Sequence, residues 1–250
     1  RLTGTLSDIT ELKKAENKLK MKNEQLTRVN NDLDNFIYTA SHDLKAPISN
    51  LEGLLNAFVS DSQFDPEQLS LVEMMFNSIE RFKTTIKDLT DITKLQRADL
   101  DNNEILSFHG LLEEVKLDIR ELIENLNATI HQSFEIPEIS YSRKNLRSII
   151  YNLLSNALKY SSPERRPEIK ISSKREHDFI IFEILDNGLG LSKENQSKIF
   201  GMFKRAHQHI EGSGIGLYII KKMVENAGGK IEVESEVGMG TTFKVYLKVE

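Results

Sequence analysis

One histidine and two asparagines stand where their type and spacing allow phosphoryl chemistry. The histidine lies in Ser41-His42-Asp43-Leu44-Lys45-Ala46-Pro47. On a helix Leu44 is about 160° around from His42, so the imidazole points away from the apolar side. Pro47 removes a helical hydrogen bond shortly afterwards and bends the helix. An exposed imidazole beside the Asp43 carboxylate is either a nucleophile, one ring N–H held and the other nitrogen free, or a solvated surface histidine.

The asparagines are Asn152 and Asn156, four residues apart, with Lys159 within about 60° of both on the same helix. The core stripe is Leu146, Ile150, Leu153 and Ala157, so both amides lie beside it and line a cleft. Asparagine is a poor helix former, and a pair of them marks a local cost. Their oxygens suit Mg²⁺, which keeps waters and phosphates as its other ligands. The alternative is hydrogen bonding to a neighbouring loop.

Three glycine clusters follow: Asp186-Asn187-Gly188-Leu189-Gly190, Gly212-Ser213-Gly214-Ile215-Gly216-Leu217 and Gly238-Met239-Gly240-Thr241-Thr242-Phe243. Each alone signals a turn. The second opens a helix, where free N–H groups favour phosphate, but no Lys-Ser/Thr pair follows and it is not a P-loop. The roughly twenty residues between the first two clusters are long for a connection and suggest a lid.

The elements that must hold these groups change character near residue 103. Before it the chain is nearly free of glycine and reads as long helices; after it come alternating runs, shorter helices and most glycines. Asp8 and Glu11 form a capping box for the first helix. Leu12, Leu19, Leu26 and Leu33 recur at sevens as a coiled-coil seam weakened by Lys22, and the four-residue step to Ile37 is a stutter. Asp65-Pro66-Glu67-Gln68 restarts a helix whose apolar residues run from Leu69 to Leu95. Two such helices make an antiparallel hairpin with a broad unpartnered face, which predicts a dimer. Beyond residue 104 the pattern predicts strands at 105–108, 128–134, 168–175, 179–186, 230–236 and 241–249, and helices at 110–126, 142–160, 192–200 and 214–227.

Composition narrows the function. A net charge of −5 gives no footprint for nucleic acid or an anionic membrane surface. With no cysteine, disulfides, thiolate catalysis and cysteine metal sites are excluded, which fits a reducing compartment. No apolar run approaches the ~18 residues of a spanning helix. The expectation is a cytoplasmic fragment with no membrane contact of its own; membrane attachment of the intact protein through missing N-terminal segments is left open.

Together and in this order, the clusters resemble the signature set of sensor histidine kinases. The stretch 41–47 resembles the phosphoacceptor box and Asn152-Leu153-Leu154-Ser155-Asn156-Ala157-Leu158-Lys159-Tyr160-Ser161 the asparagine box. The glycine clusters and Phe200-Gly201-Met202-Phe203-Lys204-Arg205 resemble the remaining boxes. The resemblance implies an all-α helical hairpin, a four-helix bundle in the homodimer, followed by an α/β sandwich that binds ATP. It places the end of a PAS-like sensor domain at 1–10, a signalling coiled coil at 11–34, the dimerisation and phosphotransfer domain at 35–101 and the catalytic domain at 102–250.

The same resemblance implies roles. His42 is the phosphoacceptor and Asp43 its acid–base partner. Asp186 binds the adenine amine, Tyr160 packs on adenine, Asn152 and Asn156 hold Mg²⁺, and Lys159 and Arg205 reach the phosphates. Gly212, Gly214 and Gly216 shape the lid and its helix; Gly188, Gly190, Phe203, Lys204, Leu217 and Thr241 complete the nucleotide site. The implied activity is ATP-dependent autophosphorylation of His42, then transfer to an aspartate on a response regulator receiver domain. Two positions depart from the pattern: Ala46 stands where many relatives carry Thr or Asn, and Tyr151 where some carry a charged residue before the first asparagine. The rival readings are another ATPase of the same sandwich, which lacks an upstream histidine-bearing hairpin, and a dimeric scaffold that only senses ATP.

Overall fold

The computed structural model describes residues 10–60, 65–97, 103–206, 210 and 213–249. Residues 1–9 of the PAS-like stub expected at 1–10, Gly212 and the side chains of Leu12, Leu26 and Leu33 lie outside the described residues. The residues pack into two compact units, the first ending at Ile79 and the second beginning at Glu80.

The first unit is a helical hairpin. Helix α1 runs unbroken over Thr10–Ser60, with Pro47 inside it. The second helix, α2, spans Pro66–Arg97 and begins in the first unit. Its start is the expected capping box: Gln68 N–H donates to Asp65 Oδ1 at 2.8 Å, and Asp65 N–H to Gln68 Oε1 at 3.1 Å. Within this unit Ser41, Ile48 and Val72 are buried, whereas Leu44, Leu51, Leu54, Phe58, Leu69, Met74 and Met75 remain largely exposed.

The second unit is a two-layer α/β sandwich. Its elements after α2 are β1 (Glu104–Ser107), α3 (Phe108–Asp118), α4 (Arg120–Asn125), β2 (Thr129–Phe134), β3 (Glu138–Tyr141) and α5 (Arg143–Lys159). Next come β4 (Glu168–Glu176), β5 (Phe179–Asp186), α6 (Lys193–Lys198), α7 (Gly216–Asn226), β6 (Lys230–Glu236) and β7 (Gly240–Lys248). The sheet order is β2-β4-β5-β7-β6, with β2 parallel to β4 and the other pairs antiparallel; β1 and β3 form a separate ribbon.

Helix α5 packs between α3 and α7 and against central strand β5. Leu146, Ile149, Ile150, Leu153, Leu154 and Leu158 are fully buried, the i, i+3, i+4 recurrence of a core face. Phe108 stacks on Phe182 at 5.3 Å and on Phe134 at 5.7 Å, joining α3 to the sheet.

Four expectations change. The helix expected over 110–126 starts at Phe108, capped by Ser107, and breaks at Ile119, whose φ of −112° and ψ of 22° leave the helical region. Strand β3 was not expected; its four residues give only Ile139 and Tyr141 as an alternating pair, and its partner β1 lies more than thirty residues away in sequence. The final helix opens at Gly216 rather than 214, and its predecessor is trimmed to Lys193–Lys198 behind the Ser192 cap.

Candidate active site

In the helical unit, His42 projects from α1 with 74% of its side chain exposed. Its neighbours at positions 41 and 48 carry the buried side of the helix. Nδ1 lies 3.2 Å from Asp43 Oδ1. A carboxylate only accepts, so this contact selects the tautomer with hydrogen on Nδ1 and leaves the Nε2 lone pair toward solvent. Pro47 has no N–H, so the Asp43 carbonyl loses its helical donor one residue from His42.

In the sandwich, a cleft of ≈ 1160 Å³, its open mouth included, lies beside α5. Asn152, Asn156, Lys159 and Tyr160 enter it from α5; Asp186 and Gly190 from the end of β5; Thr241 from β7. Lys204, Arg205, Gly214, Gly216 and Leu217 close the other side.

Asp186 is only 8% exposed at the last position of β5. Gly188 N–H donates to its Oδ1 at 2.8 Å and Thr241 N–H to the same oxygen at 3.2 Å. Burial pushes its carboxyl up from 3.8 to about 6, and these two bonds and the Arg165 charge oppose the rise. Both backbone bonds fall on Oδ1, and the buried carboxyl lines the cleft.

Tyr160 caps the C-terminus of α5, and its carbonyl accepts from Leu189 N–H at 2.9 Å. Burial raises its phenol pKa, while the nearby Arg205 charge lowers it. Asn152 Nδ2 donates to the Ser148 carbonyl at 2.9 Å, which fixes the amide and turns Oδ1 toward the start of α7. A methyl group at Gly188 would stand 2.8 Å from Asp186 Oδ1, so glycine is what lets the turn approach the carboxylate.

The structure therefore brings together Asn152, Asn156, Lys159, Tyr160, Asp186, Gly190, Lys204, Arg205, Gly214, Gly216, Leu217 and Thr241, with Gly188 directly beneath Asp186. Phe203 is not among the cleft's lining; it is 54% exposed with φ of 59°. Sequence reasoning missed Ser148, which orients the Asn152 amide, and Arg165, which bonds to the turn following Asp186. A serine one turn before an asparagine was a readable signal for the first; Arg165 sits outside every motif.

Residues 32–98 match the family model described as "His Kinase A (phospho-acceptor) domain", and residues 141–250 match "Histidine kinase-, DNA gyrase B-, and HSP90-like ATPase". Methanogenesis regulatory histidine kinase FilI of Methanothrix harundinacea is 27% identical over 92% of this chain and 26% of its own length. Phytochrome-like protein Cph1 of Synechocystis sp. is 31% identical over 87% of this chain and 29% of its own. The chain thus spans less than a third of either relative. Full-length ShkA in complex with AMPPNP shares the fold at TM-score 0.68 and 21% identity, over 85% of this chain and 46% of that one. Histidine kinase ThkA in complex with response regulator protein TrrA does so at TM-score 0.63 and 22% identity, over 98% and 69%. Among the described residues no helix is long and apolar enough to cross a membrane.

Proposed function

This chain belongs to the histidine kinases, and we propose that it moves the γ-phosphoryl group of ATP to Nε2 of its own His42. The observation that carries the reading is the His42–Asp43 contact, which selects an exposed imidazole with a free Nε2 lone pair. Nε2 forms the bond to phosphorus as the bond to the ADP oxygen breaks. Asp43 holds the Nδ1 proton and balances the positive charge that grows on the ring.

The cleft supplies the nucleotide. Asp186 accepts the adenine amine and Tyr160 packs on the base. Lys159, Lys204 and Arg205 line the same cleft and meet the phosphates. The donor set fits Mg²⁺: two neutral amide oxygens, one fixed by Ser148, beside a site for phosphates. Asn152 and Asn156 would hold the ion, which supplies neutralisation of phosphate charge. Gly190, Gly214 and Gly216 line the cleft where neighbouring backbone or the Asn152 amide leaves no space for a side chain, and Leu217 and Thr241 complete the wall.

Two partners follow. Leu44, Leu51, Phe58, Met75 and Phe82 are largely exposed, more apolar side chain than a lone hairpin hides, and a second copy of the chain would cover them. The phosphohistidine then serves an aspartate on a response regulator receiver domain, the kind of partner ThkA holds in its complex.

Autophosphorylation with radiolabelled ATP tests the reading. The chain should acquire acid-labile, alkali-stable label, and His42→Gln should acquire none while binding ATP as before. Label persisting in His42→Gln would overturn the assignment, and no label on the unmodified chain would favour an ATP-sensing scaffold.

A further inference from the structure

We propose that Arg165 is a positioning residue of the nucleotide site, a clamp that ties together the two glycine turns holding the Asp186 carboxylate. The proposal rests on the reading of Asp186 as the acceptor of the adenine amine.

Arg165 lies in the connection between α5 and β4, outside the motifs that identify the site. Its Nε donates to the Asn187 carbonyl at 2.5 Å, and its Nη2 to the Gly188 carbonyl at 2.7 Å and the Gly238 carbonyl at 2.6 Å. Asn187 and Gly188 are the two residues after Asp186. Gly238 lies in the β6–β7 turn that leads into Thr241, whose N–H binds the same carboxylate. One planar cation therefore joins both turns that supply Asp186 with its backbone donors.

The neighbouring bonds set these turns against one another but leave this gap. Gly238 N–H donates to the Leu189 carbonyl at 2.8 Å, and Leu189 N–H to Tyr160. The Asn187 side chain accepts from Glu168 N–H at 2.9 Å and donates to the Arg166 carbonyl at 3.0 Å. The carbonyls of 187, 188 and 238 are met by the guanidinium instead. Arginine suits this task because its fork presents several donors in a fixed plane, whereas lysine offers a single point charge.

The guanidinium also places positive charge near Asp186, favouring the ionised form against burial. The other titratable groups of the cleft are Tyr151, Lys159 and Tyr160 on or at the end of α5 and Lys204 and Arg205 from the segment before α7; β7 contributes the Thr241 N–H. Removing Arg165 thus has two separable effects: a looser carboxylate and a carboxylate that protonates more readily.

The test measures ATP and GTP affinity by calorimetry between about pH 5 and 8, using the whole chain and the variants Arg165→Met, Arg165→Lys and Asp186→Asn. Arg165→Met should weaken ATP binding about tenfold, narrow the preference for ATP over GTP and move the acid limb of ATP binding to higher pH. Arg165→Lys keeps the charge, so its acid limb should stay near that of the unmodified chain while the affinity loss persists. A fall in melting temperature with unchanged ATP/GTP preference and acid limb makes Arg165 a staple of the fold only and overturns the proposal. Unaltered binding in Arg165→Met, with binding lost in Asp186→Asn, overturns it while leaving the nucleotide site standing. Unaltered ATP binding in Asp186→Asn removes the site reading and the clamp with it.

Discussion

Asn152 and Gly216 meet where α5 passes the first turn of α7, so closely that a methyl group on Gly216 would stand 2.5 Å from Asn152 Oδ1. The amide is not free to swing away without losing its bond to the Ser148 carbonyl. Gly216 lies in a helix, where alanine is favoured by up to about 1 kcal/mol. Gly216→Ala should displace the Asn152 oxygen, the lost Ser148 bond offsetting alanine's helix preference so that melting temperature stays near its original value, with Mg-ATP affinity falling by about tenfold or more. Calorimetry with and without Mg²⁺ reads this directly. Equal Mg-ATP affinity in the variant would show that Asn152 Oδ1 is not required.

Asp186 is held ionised at a cost to stability. Its folded pKa of about 6 lies above its ordinary 3.8, so between those values the folded state binds the proton more tightly than the unfolded state. The sign follows: stability falls as pH rises through this window, the penalty being absent below about 3.8 and complete above about 6. It amounts to at most about 3 kcal/mol. Asp186→Asn keeps an acceptor for Gly188 and Thr241, so it should raise melting temperature at neutral pH and abolish tight ATP binding, with the gain fading toward pH 4. A lower melting temperature at neutral pH would refute the burial argument.

The α5 stripe and its flanking asparagines were readable because helical period separates core from cleft within a single element, and the burial of Leu146, Ile150 and Leu153 follows it. The capping pair Asp65 and Gln68 was readable for the same local reason. Strand β3 was not, because four residues after Pro137 carry too little alternation and their pairing to β1 is long-range. Arg165 was hidden more deeply. Its acceptors are backbone carbonyls 22, 23 and 73 residues away, and carbonyls carry no trace of themselves in residue type.

Ala46 lies exposed on α1, four residues and about one turn beyond His42, and its methyl group can neither donate nor accept a hydrogen bond. Orienting a water toward a phospho-aspartate needs such a group. The chain should therefore dephosphorylate its phosphorylated partner feebly, and Ala46→Thr or Ala46→Asn should raise that rate by about tenfold or more. Release of phosphate from a phosphorylated receiver, followed with and without the variant, decides it. Rapid release by the unmodified chain would mean that another side chain holds the water.

The unbroken run of α1 from Thr10 to Ser60 places His42 on the same rod as Leu19 and Val29, both largely exposed. A rotation applied near Thr10 has no helix break in which to dissipate before it reaches the histidine. Each inserted residue advances a helix by about 100°, and seven restore the phase of a heptad seam. Insertions between Leu19 and Leu26, with a sensor domain fused ahead of Thr10, should change autophosphorylation periodically with length. Seven residues should behave like none, while three or four should reverse or abolish the response. Phosphohistidine formation measured over the series with and without stimulus gives the period. A smooth decline with insertion length, lacking recovery at seven, would mean that α1 acts as a passive tether and that signal reaches His42 by another route.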